Sequence, residues 1–91
     1  MSTEKVDLIS PEQCRAARAL LDMTQPALAS KAGLGLSTIV DFERVRRPVS
    51  TTAIQAVKKA LENAGVAFIS GNGEGPGVRL RRSDKPKNSQ G

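Results

Sequence analysis

Few side chains in this 91-residue chain could do chemistry, and most of those lack the neighbours that chemistry would need. The hydroxyls of Ser37 and Thr38 have no histidine or suitably placed lysine to act as an activating base, so a nucleophile has no partner. Cys14 is the only cysteine, which excludes an internal disulfide, and no residues offer zinc-ligand spacing. It falls on an apolar helical stripe and reads as a small core residue rather than a reactive thiol. Gly71, Asn72, Gly73 and Gly75 form a glycine-rich run, but a phosphate-cradling loop must open a helix and none follows, so the run reads as a hairpin loop. No cofactor or metal is implied, and no catalytic constellation can be assembled. Binding chemistry is what remains. Arg44, Arg46 and Arg47 sit within four positions and suit the clamping of phosphates. Gln25 stands at a predicted helix start, where its amide, the free backbone N–H groups and the helix dipole all favour the same anion.

The charge distribution agrees with a polyanionic partner. The net charge is +5, but residues 1–43 carry four Lys/Arg against six Asp/Glu, whereas residues 44–91 carry ten against three. Such asymmetry points to nucleic acid first and to an anionic membrane second. No apolar run approaches the roughly 20 residues needed to span a bilayer. The N-terminus has neither a basic start nor an apolar h-region, so the expectation is a cytoplasmic protein without a membrane partner.

The elements that must position these residues follow from local pattern. With two Phe and no Trp or Tyr, the core has to be built from Leu, Ile, Val and Ala, and a core of that size favours self-association. Residues 1–9 read as a loose, acidic arm whose end docks on the body. Ser10, Pro11, Glu12 and Gln13 make a strong helix start with a capping box, and the helix runs to about Leu21 with Cys14, Ala17, Leu20 and Leu21 inward. Thr24 caps a second helix with Leu28, Ala29 and Ala32 on its buried face, and Gly33 closes it. Leu34 drops into the core from the turn. A third helix begins near Gly35 or Leu36, with Ile39 and Phe42 as its buried stripe. Helix, glycine-containing turn, helix is a layout that presents the second member to the DNA major groove. After the basic loop, Ser50 or Thr51 caps a fourth helix to about Ala64, buried through Ala53, Ile54, Val57, Ala60, Leu61 and Ala64, with Lys58, Lys59 and Glu62 mostly on the wet side. Gly65 stops it. Val66 to Ile69 and Val78 to Arg81 then read as two strands of a hairpin, which must pack on the helices or join a partner.

Gln25, Leu28-Ala29, Ala32-Gly33-Leu34, Ser37-Thr38-Ile39 and Phe42-Glu43, in this order and at this spacing, resemble the XRE/Cro type of helix-turn-helix family. This is the class of the lambdoid phage repressors and many small bacterial regulators. The resemblance covers about residues 11–61 and extends through Arg82 to short proteins of the class that end in a strand like Gly77-Val78-Arg79-Leu80-Arg81. It implies a mainly α fold: a compact four-helix lambda-repressor-like helix-turn-helix domain over residues 10–65 with a short C-terminal β-hairpin over 66–82. Residues 83–91 are expected to be a disordered tail. It also implies an ion pair between Arg18 and Glu43 that braces the third helix. A glycine often ends this helix in the family; Val45 stands there in this chain.

The resemblance places base-reading side chains at Leu36, Ser37, Val40 and Asp41, with Thr38 beside them. The better-known repressors tend to carry Gln, Arg, Asn or Lys at these positions. Here Leu36 and Val40 suit thymine methyl groups, Asp41 suits a cytosine amino group, and Ser37 suits either role. No side chain of this set supplies the two-pronged arginine–guanine contact, so DNA shape is expected to share the discrimination. Phosphate contacts are assigned to Gln25, Arg44, Arg46 and Arg47. The expected function is a sequence-specific transcriptional regulator, a repressor, autoregulator or small controller, binding a palindromic operator as a homodimer through helix 36–44. Its two reading helices would lie about 34 Å apart. The hairpin or the last helix would join the two copies, and contact with RNA polymerase or a regulatory protein is a further option for such a controller. The competing expectation is a protein-interaction module, antitoxin-like or antiactivator, suggested by the apolar Leu36 and Val40.

Overall fold

The computed structural model describes residues 8–70 and 73–81. It is mainly helical, with α1 at Pro11–Leu21, α2 at Gln25–Ala32, α3 at Leu36–Arg44 and α4 at Thr51–Ala64, followed by strands β1 at Val66–Ile69 and β2 at Gly77–Leu80. Residues 1–7 of the expected arm, Gly71 and Asn72 of the glycine-rich run, Arg82 at the end of the expected hairpin, and the expected tail at 83–91 lie outside the described residues.

Local chemistry accounts for the helix boundaries. The Ser10 hydroxyl accepts from Gln13 N at 3.0 Å, and the Gln13 amide oxygen accepts from Ser10 N at 2.8 Å, which completes the capping box. Thr24 accepts from Ala27 N to open α2, and Ser50, of the two candidates, accepts from Ala53 N to open α4. Gly33 ends α2 at φ 71°, a left-handed conformation that costs glycine nothing. Val45 ends α3 in the same conformation at φ 56°, where a β-branched residue is strained. The backbone N–H groups of Val45 and Arg46 still return to the Phe42 and Asp41 carbonyls, so the helix closes as a glycine-terminated one would.

The core gathers Cys14 and Ala17 of α1, Leu28 and Ala29 of α2, Ile39 and Phe42 of α3, Val57, Ala60 and Leu61 of α4, and Val66 of β1. Ile9 docks on it from the N-terminal side, while Leu8 is exposed. Leu28, Ile39 and Leu61 are fully buried, each contributing roughly 1.5–3 kcal/mol. Two expected core positions point outward. Leu20 is 42% exposed because Ala17 and Leu21 already fill the side of α1 that faces its neighbours. Ala64 is exposed in the last turn of α4, past the end of the buried stripe. Lys59 is exposed, and Lys58 and Glu62 are half-buried.

The hairpin is antiparallel, pairing Val66 with Leu80 and Ile69 with Gly77. The second strand therefore starts at Gly77, one residue earlier than its alternation suggests, because the register reaches Ile69. Arg81 lies beyond the strand, and its N–H donates to Gly65 O at 2.8 Å. Besides the apolar packing of Phe68 and Val78 on the core, one side chain of α1 ties the hairpin by hydrogen bonds among the described residues. Gln13 Nε2 donates to Gly77 O at 2.9 Å and to Ile69 O at 3.3 Å. Gln13 thus caps its own helix with its oxygen and pins both strands with its nitrogen.

Two substitutions test these features. Gln13→Glu keeps the capping acceptor but removes the donor shared by two strand carbonyls, and is expected to cost about 1–3 kcal/mol in denaturant unfolding. Val45→Gly relieves the left-handed strain, less the extra freedom of the unfolded chain, and is expected to stabilise by about 0.5–1 kcal/mol. A loss of stability in Val45→Gly would contradict the strained closure of α3.

Candidate nucleic-acid interface

The inner face of α3 is built around a buried acid. The Glu43 side chain is 1% exposed, and four donors converge on its two oxygens. Arg18 Nε donates to Oε2 at 2.6 Å and Arg18 Nη2 to Oε1 at 2.7 Å, so the guanidinium grips the carboxylate with two prongs. Cys14 Sγ donates to Oε2 at 3.1 Å and Gln25 Nε2 to Oε1 at 2.9 Å. Arg18 Nη1 also donates to Met23 O, and Arg15 Nη1 donates to the Glu43 backbone carbonyl. One carboxylate thereby ties α1, the start of α2 and the end of α3 together.

The electrostatics follow from this geometry. Burial by itself would raise the Glu43 pKa, but the hydrogen bonds from Arg18, Cys14 and Gln25, with the Arg18 charge, outweigh it and hold the group below its ordinary value. The same hydrogen bond to Glu43 raises Arg18 further. Cys14 is pushed well above the usual thiol range, first by burial and then by its bond to Glu43. It is a protonated donor, in keeping with its reading as a core residue.

The expected site residues divide into three groups. Leu36 is 45% exposed, Ser37 is exposed, and Val40 and Thr38 are half-buried, so the leading part of α3 faces outward while Ile39, Phe42 and Glu43 face the core. Arg44, Arg46 and Arg47 are exposed in the last residue of α3 and the turn that follows. Asp41 and Gln25 are placed differently from expectation. Asp41 Oδ2 accepts from Arg47 Nε at 2.6 Å, and Arg46 Nε lies 3.9 Å from Oδ1, so this carboxylate is already partnered. Gln25 is half-buried and donates to Glu43 rather than standing free at the helix start; Nε2 retains a second N–H.

Sequence reasoning missed Arg15 and the thiol of Cys14 as members of the Glu43 cluster. The 28- and 29-residue separations that bring them to α3 leave no local signal. Beside the cluster opens a groove of about 630 Å³, lined in part by Arg15, Arg18, Thr24, Gln25 and Arg44. Among the described residues, no group of acidic, cysteine or histidine side chains could hold a metal ion, and no helix is long and apolar enough to cross a membrane. No family model matches the chain, and no curated protein matches it closely enough to count as a relative.

The cluster predicts a pH response. In the unfolded chain a glutamate titrates near its ordinary value of about 4.3, above the depressed value of the folded Glu43. Its stabilisation is therefore complete above that range and is lost as pH falls through the folded value. Arg18→Met, which strands the buried carboxylate, is expected to cost about 3 kcal/mol at neutral pH. In Glu43→Gln the slope of stability against pH between about 5 and 3 should flatten. An unchanged acid slope in that variant would show that Glu43 does not carry the response.

Proposed function

We propose that this protein is a sequence-specific DNA-binding transcriptional regulator, a helix-turn-helix protein of the XRE/Cro kind, with α3 as its major-groove helix. The observation that carries this reading is the two-sided character of α3. Its core side is locked by Ile39, Phe42 and the Glu43 cluster, its leading side leaves Leu36 and Ser37 outward, and it runs directly into Arg44, Arg46 and Arg47. Three residues join α2 to α3, which is the connection such a motif requires. A rigid helix with an open edge and a basic end suits base contacts along the edge and phosphate contacts around it.

In this reading Arg44, Arg46 and the second N–H of Gln25 grip the DNA backbone, while Leu36, Ser37, Thr38 and Val40 meet base edges and thymine methyl groups. The groove beside the Glu43 cluster, lined by Arg15, Arg44 and the start of α2 among others, suits a backbone phosphate. Two copies related by a two-fold axis would read a palindromic operator. Ile69 and Leu80, 42% and 50% exposed on opposite faces of the hairpin, are the apolar side chains that the hairpin offers for joining them. Regulation by occupancy needs no further domain, and contact with RNA polymerase would make the same protein an activator.

The exposure of Leu36 supports a second reading, in which the outer face of α3 docks on another protein. Duplex-binding measurements on DNA flanking the protein's own gene separate the two. The regulator should bind with an affinity that falls steeply with salt, and Arg46→Ala and Arg44→Ala should each weaken binding and reduce the log–log salt slope by about 1. Ser37→Ala should weaken the preferred fragment more than unrelated DNA. Absence of binding to every flanking fragment, together with recovery of a stable protein complex, would favour the docking module.

A further inference from the structure

We propose that Arg47, held through its Nε by Asp41, is a guanine-reading side chain of the α3 surface, so that a reading residue is supplied from outside the helix. This rests on the DNA-binding reading above and gives it a base preference. The helix itself offers no arginine, lysine, asparagine or glutamine at Leu36, Ser37, Val40 or Asp41. Asp41 stands one turn after Ser37 on the same face of the helix. Arg47 Nε donates to Asp41 Oδ2 at 2.6 Å, which lays the guanidinium against that face.

The chain reaches this position by the left-handed Val45, which reverses the backbone immediately after α3 and brings Arg46 and Arg47 back beside Asp41. A simple phosphate clamp would be poorly served by the arrangement. A carboxylate in hydrogen-bond contact offsets the positive charge on which phosphate attraction depends. What it leaves intact, and fixes in direction, is the far end of the guanidinium. The two terminal nitrogens of Arg47 donate to no group among the described residues. Together they present the paired donors that match guanine O6 and N7 in the major groove. Asp41 is then a positioning residue: its acceptor is spent on Arg47 rather than on a cytosine amino group.

Selection from a randomised duplex library, followed by sequencing, tests this with the full chain, Arg47→Lys and Asp41→Asn. Arg47 is exposed and Asp41 is half-buried, and thermal melting of each variant checks that the fold is kept. The wild type should enrich a site with guanine at one fixed position, favoured on the order of tenfold or more over other bases. Arg47→Lys keeps the charge but loses the planar fork, and should reduce that preference to a few-fold. Asp41→Asn keeps Arg47 and adds net positive charge, so its affinity for random duplex should hold or rise while the guanine preference falls. If both variants select the wild-type motif unchanged and merely bind all sequences differently, Arg47 is a phosphate contact and the proposal is overturned while DNA reading stands. If the wild type selects no sequence, both this proposal and the sequence-specific reading fall together.

Discussion

A carboxylate taken out of water inside a small helical protein must be matched by donors or the fold does not hold, and the packing of α1, α2 and α3 is arranged around that requirement at Glu43. An isolated buried charge is several kilocalories per mole unfavourable even after relaxation. Here the two-pronged Arg18 guanidinium, the Gln25 amide and the Cys14 thiol satisfy it from two other helices. The directionality of these bonds matters more than their sum. Apolar contacts through Ile39 and Phe42 seat α3 but carry no directional preference of their own. Hydrogen bonds to both oxygens of one carboxylate fix its position along its axis and its rotation about it.

That fixed inner face determines what the outer face offers. Leu36 and Ser37 stay outward because the residues that alternate with them are committed to the core. The strained turn at Val45 extends the same logic past the end of the helix. It stores local strain of roughly 1–2 kcal/mol, and in return the following arginines fold back along the helix instead of leaving with the chain. The acid nearest them, Asp41, changes the character of one arginine from a mobile charge to an oriented donor.

The opposite end of the molecule solves a different problem with the same means. A hairpin of two four-residue strands and a core nearly free of aromatic side chains are both marginal alone. Val66 buries into the common core, and the Gln13 amide adds a polar tie from α1 to one carbonyl of each strand. The same side chain completes the cap of α1, so the helix start and the hairpin are mutually dependent.

The order of four helices and a hairpin was legible in the chain because its signals act over three or four residues: caps at Ser10, Thr24 and Ser50, stops at Gly33 and Gly65, and the helical spacing of Leu28, Ile39, Val57 and Leu61. The pairing of Arg18 with Glu43 was available only through family likeness, and the basic run after α3 only as a count of charge. Tertiary structure alone decided where the polar side chains spend their hydrogen bonds. It turned Gln25 inward to Glu43, gave Asp41 to Arg47, and carried Gln13 to carbonyls 56 and 64 residues away. The reason is range. A backbone period is repeated and tolerant, so a linear pattern can encode it, whereas a hydrogen bond demands that two groups from distant segments arrive within tenths of an ångström, and only the packed chain sets that distance.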